Sequence, residues 1–463
     1  MKLEKISVRD FVRDVKAGNI DLEDFAQHVV ENSKTIQKKY NPFITLIDKI
    51  KKPKSSGRLA GLPITVKDNI CTNGIQTTAG SKILKGYIPP FDATSVSNVK
   101  EEGGFILGKT AMDEFGFGTF CTNCAYGVPK NPHDVERSCG GSSGGAGCIT
   151  AASDFPTIAL SESTGGSISA PASFTGTVGL TPTYGLVSRW GLIDFANSLD
   201  KIGVIGKSVY DVALGLSVIA GNDKKDSTSL NVPKKDYTKT LTGKIKGMKI
   251  GIPKEYFDNV DDKISKIVWA AIKKLEKEGA TYKEVSLSHT KYTISSYYII
   301  AVSEASTNLA KYSGLRYGLQ KELHGNFDQY FSSVRTEGFG EEAKRRIILG
   351  TFARMAGYRD AYYLKALKVR TKIIEDFKKA FKKFDVLAAP TMPIVAPRFD
   401  EIEKLSPLQN YTTDILTAAP NLAGIPMISV PVGKIGHLPV GFHLMGDHLQ
   451  EEKILRIADA IEN

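Results

Sequence analysis

No stretch of this chain reaches the roughly 18 consecutive apolar residues that a membrane-spanning helix needs. The opening, MKLEKISVRDFVRDVKAG, is charged throughout, where a secretory leader carries an apolar core. The expectation is a soluble protein with no membrane partner. Cysteine is scarce: five in 463 residues, an odd number at irregular spacing, which argues against a disulfide scaffold and for a reducing, cytoplasmic setting. Cys121 and Cys124 form a CxxC, but no second pair and no metal-spaced histidines accompany it, so no metal is assigned. The seven histidines, His28, His133, His289, His324, His437, His443 and His448, fall in no recognisable catalytic motif. Internal repeats and low-complexity segments are also missing.

What is present is ordinary globular material, 41% apolar and 24% charged, enough to bury a core and unlike a disordered chain. The 61 basic against 50 acidic side chains leave a formal charge of +11. Lysine and glutamate interleave through most segments and the one dense basic run, Lys51-Lys52-Pro53-Lys54, is short, so a lysine-rich surface explains the excess. An RNA-binding scaffold is the alternative from another functional class.

Ser7 with Asp10 at i+3, then Phe11, Val12 and Val15 before Gly18, predicts a first helix over 8–17, and a second runs from Leu22 to about Gln37. Residues 1–50 therefore read as a helical lead-in. Over 60–215, short β-type runs (64–66, 105–107, 157–160) alternate with glycine-rich turns and helical stretches, the pattern of an α/β sheet. Residues 221–245 are polar and rich in turn formers, a surface connection. The half from 246 to 463 resumes with a strand at 248–253, an amphipathic helix near 261–278, long helical periodicity over 341–383, and strands at 385–389 and 427–432. A single interleaved domain over 1–463, with a large mixed central sheet flanked by helices on both faces, is the expected architecture.

Two serine–glycine clusters stand close together, SCGGSSGGAG (138–147) and SESTGGSIS (161–169). Glycine permits close backbone approach at an entropic cost, and the plain alternative for either cluster alone is a tight turn. A serine nucleophile needs a base and donors for an oxyanion. With histidine set aside, a buried lysine can serve if its environment disfavours the ammonium. Lys67, ending the apolar run Pro63-Ile64-Thr65-Val66, is the candidate; its plain alternative is a lysine paired with a carboxylate at a strand end.

GLPITVKDNI, SCGGSSGGAG, STGGSISAPASFTGTVGLTPTYGLVSRWGLIDFANSLDKIG and NLAGIPMISVP resemble, in order, the landmarks of the amidase-signature family, over roughly residues 60–450. The resemblance implies a Ser–cis-Ser–Lys triad in which Ser167 attacks the amide, Ser142 relays the proton through an unusual cis peptide, and Lys67 accepts it. It also implies an oxyanion hole from the amides of Thr164, Gly165 and Gly166. Further segments, EASTNL, EGFGEEAKRRIILGTF, AGYRDAYYLKA and TTDILTAAPNLAG, resemble the branch that supplies the A subunits of glutamyl/aspartyl-tRNA amidotransferases. That branch implies glutamine as substrate, with Arg346 for its α-carboxylate, Asp414 for its α-ammonium, and Tyr298 in the same pocket. It implies a heterotrimer with B and C subunits, the B subunit using ATP and Mg²⁺ to amidate Glu-tRNA(Gln) or Asp-tRNA(Asn). No cofactor is expected in this chain. The family usually has Asp where this chain has Ser163, and Arg where it has Ser169; the Ser142–Ser167 spacing also runs one residue longer.

Three rivals compete. Within the fold, a free-standing amidase of small amides is the runner-up. Gly103–Thr110 fits GxxxxGK[ST], a nucleotide-binding loop, but Phe105 to Leu107 read as strand, and a helix-like stretch precedes the first glycine. Gly141–Gly145 fits GxSxG with Ser143 as nucleophile, but polar residues precede it where a strand should lead in.

Overall fold

The computed structural model describes residues 6–463; the first five residues of the lead-in, with part of the charged opening, lie outside them. The first helix is Val8–Lys16, capped by Ser7 Oγ, which accepts from Asp10 N and turns an apolar stripe of Val8, Phe11, Val12 and Val15 into the core. The second, Leu22–Tyr40, runs a turn further than its periodicity predicts and stops where Asn41 takes a left-handed conformation.

In chain order the strands are β1 (Phe43–Leu46), β2 (Pro63–Lys67), β3 (Phe105–Thr110), β4 (Lys130–Asn131), β5 (Asp134–Ser138), β6 (Ile158–Ser163), β7 (Val178–Thr181), β8 (Lys201–Gly206), β9 (Lys249–Pro253), β10 (Thr281–Val285), β11 (Val386–Pro390), β12 (Met427–Ile435) and β13 (Leu438–Gly446). Among the described residues, eleven of them form one sheet in the order β1-β3-β2-β6-β8-β7-β12-β13-β11-β9-β10, while β4 and β5 pair separately. The sheet is mixed: β2 runs parallel to both β3 and β6, β9 parallel to β10 and β11, and the central pairs from β6 through β13 are antiparallel. Strands from both halves of the chain thus share one sheet. Helices Gly144–Ala152 and Ser169–Thr175 pack on one face; Val209–Ile219, Asp262–Lys277 and Glu451–Glu462 pack together on the other. One continuous apolar cluster runs from Val8 to Ile461.

Residues 221–245 form a loop with a single short turn, Tyr237–Thr240, pinned by buried Tyr237 and Ile245. The helical periodicity of 341–383 is broken into Glu341–Arg354 and Lys365–Phe381, separated by a bend where Gly357 has φ +84° and by a π-turn over Asp360–Leu364. The nucleotide-loop reading fails on geometry. Gly108, Lys109 and Thr110 lie inside β3 with their backbone in the ladder, and the buried Lys109 Nζ donates to Ile70 O at 2.7 Å and Thr77 Oγ1 at 2.6 Å.

Candidate active site

β2 and β6 run parallel, so their carboxyl ends coincide, the place where α/β sheets gather ligands. Lys67 is the last residue of β2, and β6 ends at Ser163 before the turn 164–168 and the Ser169–Thr175 helix. Lys67 is fully buried. Its Nζ lies 2.7 Å from Ser142 Oγ, 2.9 Å from Glu162 O and 2.9 Å from Glu162 Oε2. The strand-end carboxylate and the serine contact therefore occur together, a combination the two sequence readings treated as alternatives. Three contacts suit either protonation state of the amine: an ammonium donates all three, and a neutral amine donates two while its lone pair receives the Ser142 hydroxyl.

The Gly141–Ser142 peptide is cis. Ser142 O accepts from Asp113 N at 3.2 Å, and Ser143 N donates to Ser167 O at 3.2 Å, tying the two serine-bearing turns together. Among the described residues no hydrogen bond joins the Ser142 and Ser167 side chains, and no acceptor meets the N–H groups of Thr164, Gly165 and Gly166. Gly141 is required by close approach: a Cβ there would lie 2.2 Å from Asp113 Oδ2 and 2.6 Å from Cys121 N. At Gly166 it would lie 2.4 Å from Thr417 Oγ1 and 3.4 Å from Asp414 Oδ1, so Asp414 stands against the turn that carries Ser167.

Asp414 Oδ2 accepts from Thr119 Oγ1 at 2.9 Å and Tyr298 OH at 3.0 Å. Burial pushes its carboxyl up to about 6, against the hydrogen bonds of Thr119 and Tyr298 and the attraction of Arg346, and Asp113 adds repulsion. Arg346 comes from the Glu341–Arg354 helix and is also buried. Its Nε donates to Glu342 Oε1 at 2.8 Å, and its guanidinium lies 4.9 to 5.5 Å from the ring centres of Phe117, Tyr298, Tyr411 and Phe195. Such ring faces favour a cation where water is excluded. Tyr298 stacks on Tyr411 at 4.0 Å. A cavity of about 720 Å³ opens on this side, walled by Arg346, Glu342, Tyr411, Phe117 and Thr119. Thr119 links it to the serines, because its carbonyl accepts from Gly141 N at 2.6 Å.

Glu162, Thr119 and Asp113 were missed by sequence reasoning. Glu162 sits inside the quoted serine–glycine motif, and its place two residues past the β-type run 157–160 was the available signal. Ser163, at the unusual position, donates to Gly165 O at 3.1 Å and receives Asn421 Nδ2 at 3.3 Å. Ser169 Oγ is buried without a partner among the described residues. Ser143 is buried and its hydroxyl donates to Glu162 O at 3.1 Å, which turns it away from the cavity role a GxSxG nucleophile needs.

This geometry is that of a serine amidase, and the amidase family model matches residues 8–455: the chain belongs to that family. It is 48% identical to the A subunit of the glutamyl-tRNA(Gln) amidotransferase of Carboxydothermus hydrogenoformans, over 100% of this chain and 98% of that one. With the same-named protein of Methanosarcina mazei it shares 49% identity over 92% of this chain and 90% of that one. The crystal structure of the A subunit of the glutamyl-tRNA(Gln) amidotransferase from Thermotoga maritima superposes with a TM-score of 0.84 at 37% identity, covering 100% of this chain and 95% of that one.

Proposed function

We propose that this chain is the glutamine-hydrolysing subunit of a tRNA-dependent amidotransferase. The observation that carries this is the buried Lys67–Ser142 contact of 2.7 Å beside the turn of Ser167, together with an acid and a guanidinium on one side of that turn. Ser167 attacks the glutamine carboxamide, its proton passes to Ser142 and from there toward Lys67, and the amides of Thr164, Gly165 and Gly166 hold the oxyanion. Ammonia leaves, and water releases glutamate from the Ser167 ester. Arg346 holds the α-carboxylate through its two free nitrogens, and Asp414 with Tyr298 holds the α-ammonium. The identity to named A subunits over nearly their whole length supports a partnership with B and C subunits in the cytoplasm. The ammonia then serves the amidation of Glu-tRNA(Gln) or Asp-tRNA(Asn), with ATP and Mg²⁺ handled by the B subunit.

Ser167→Ala in the assembled complex tests this. Glutamine hydrolysis is expected to fall by about 10⁴-fold or more, the scale of losing a serine nucleophile, while the complex still forms. Hydrolysis retained within tenfold of the parent removes the mechanism.

A further inference from the structure

Glu162 carries nothing in the scheme above, yet its carboxylate is among the most heavily engaged groups in the molecule. Oε2 receives Lys67 Nζ at 2.9 Å and Asn69 Nδ2 at 3.1 Å, and Oε1 lies 2.7 Å from Thr164 Oγ1. Thr164 Oγ1 also lies 2.8 Å from Asp200 Oδ1. A threonine hydroxyl has one hydrogen, so it can donate to only one of two carboxyls. The other contact requires a proton on the carboxyl itself. Asp200 Oδ2 is already occupied by the amides of Phe195 at 2.8 Å and Ala196 at 2.9 Å, which leaves Oδ1 as the protonated oxygen. Burial, then the neighbouring Glu162 charge, hold Asp200 well above the usual carboxylate range. The chain of donors therefore runs Asp200 Oδ1–H to Thr164 Oγ–H to Glu162 Oε1, which leaves Glu162 Oε2 to face Lys67.

We propose that the base in this amidase is the Lys67–Glu162 pair, with Lys67 as a relay and Glu162 Oε2 as the atom that holds the proton. This rests on the Ser167–Ser142–Lys67 reading above. Both partners are buried, at 0% and 1% side-chain exposure, and removing two opposite charges from water narrows the gap between the ion pair and its neutral form. One ammonium proton passes from Nζ to Oε2, breaking an N–H bond and making an O–H bond, with no change in net charge. Rotation by one third of a turn about Cε–Nζ aims the freed lone pair at Ser142 Oγ. Ser142 gives its proton to Nζ as it takes the one from Ser167, and the sequence reverses when the leaving nitrogen is protonated. The other titratable groups facing the pair are Asp200 through Thr164, Tyr297, Asp113 and Cys121. Burial raises all four.

The pH dependence of kcat/KM for glutamine hydrolysis by the assembled complex tests this in Ser167→Ala, Glu162→Gln and Glu162→Asp. Activity surviving in Ser167→Ala removes the underlying mechanism whatever Glu162 does. With Ser167→Ala inactive, Glu162→Gln is expected to lower activity at pH 7 at least tenfold and move the acidic limb to higher pH by a unit or more. KM is expected to change less than threefold. A pair that keeps one shared proton stays active at lower pH than a lysine that must lose its proton to solvent. Glu162→Asp is expected to keep the limb in the parent position. An acidic limb in Glu162→Gln that stays put or moves to lower pH overturns the proposal, because a carboxylate that only stabilises the ammonium gives that sign. If Glu162→Gln does not assemble, Glu162→Asp decides: a parental limb supports the pair, and an upward displacement overturns it.

Discussion

The two ends of the site each hold a buried cation beside a carboxylate, but they are built differently. At the chemical end, Lys67 and Glu162 come from adjacent parallel strands, are closed off from solvent, and sit among turns drawn from residues 67 to 200. At the recognition end, Arg346 and Glu342 lie one helical turn apart, with 3% and 10% of their side chains exposed. They are roofed by aromatic rings from four separate segments and open onto the cavity. The first arrangement uses every donor of its cation internally. The second spends one guanidinium nitrogen on Glu342 and, among the described residues, leaves two without a partner, which suits the external carboxylate proposed for it.

Arg346→Ala breaks the recognition end with the largest expected effect. Two charge-assisted hydrogen bonds at about 1.5 to 2 kcal/mol each predict a loss of about 10² to 10³ in kcat/KM for glutamine. Glu342 keeps Arg345 and the Tyr411 hydroxyl, the latter at 2.7 Å, so the fold is expected to persist. A simple amide lacking an α-carboxylate is expected to change less than threefold. Steady-state kinetics on both substrates checks this, and indifference of both points to a free-standing amidase of small amides.

Asp414 sharpens the contrast through pH. Its carboxyl, raised by burial to about 6, must be ionised to hold an ammonium, so KM for glutamine is expected to rise about tenfold per unit as pH falls below that value. In Asp414→Asn, KM is expected to be high and flat over the same range. The stability sign runs the other way. A raised acid favours the fold when protonated, so that contribution is complete below about 4 and is lost as pH rises through about 6. Two units correspond to about 3 kcal/mol, and Asp414→Asn is expected to melt higher than the parent at pH 7.5 but not at pH 4.

The chemical end was largely legible in the sequence because its parts are short contiguous motifs whose glycines answer to local backbone approach. Lys67 at a strand end, two serine-bearing glycine turns, and strands at 64–66 and 105–107 follow from patterns within ten residues, whereas the choice of Ser142 and Ser167 within those turns came from the family resemblance. The pairing of β6 with β8, and of β7 with β12, links segments dozens to hundreds of residues apart, which no local period encodes. The same holds for Thr119 meeting Asp414. The bend at Gly357 was hidden because helical periodicity continues on both sides of it. Glu162 escaped because a glutamate in a serine-rich run reads as a solvated side chain until the strand that carries it proves to be internal.

The smallest expected effect separates neighbours within the chemical end. Ser142 and Ser143 are adjacent, both buried, and both point at the Lys67–Glu162 pair, but Ser143 reaches only a backbone carbonyl. Removing its hydroxyl leaves Glu162 O with the Lys67 donor and so leaves that carbonyl satisfied. Ser143→Ala is therefore expected to cost about 1 kcal/mol of stability and less than threefold in kcat, measured by thermal melting and glutamine hydrolysis. Among the described residues Ser142 carries the one hydroxyl bonded to Lys67, and Ser142→Ala removes it. If Ser143→Ala were instead the crippling change, the proton path would run through the residue that fits GxSxG, and the assignment of both turns would have to be exchanged.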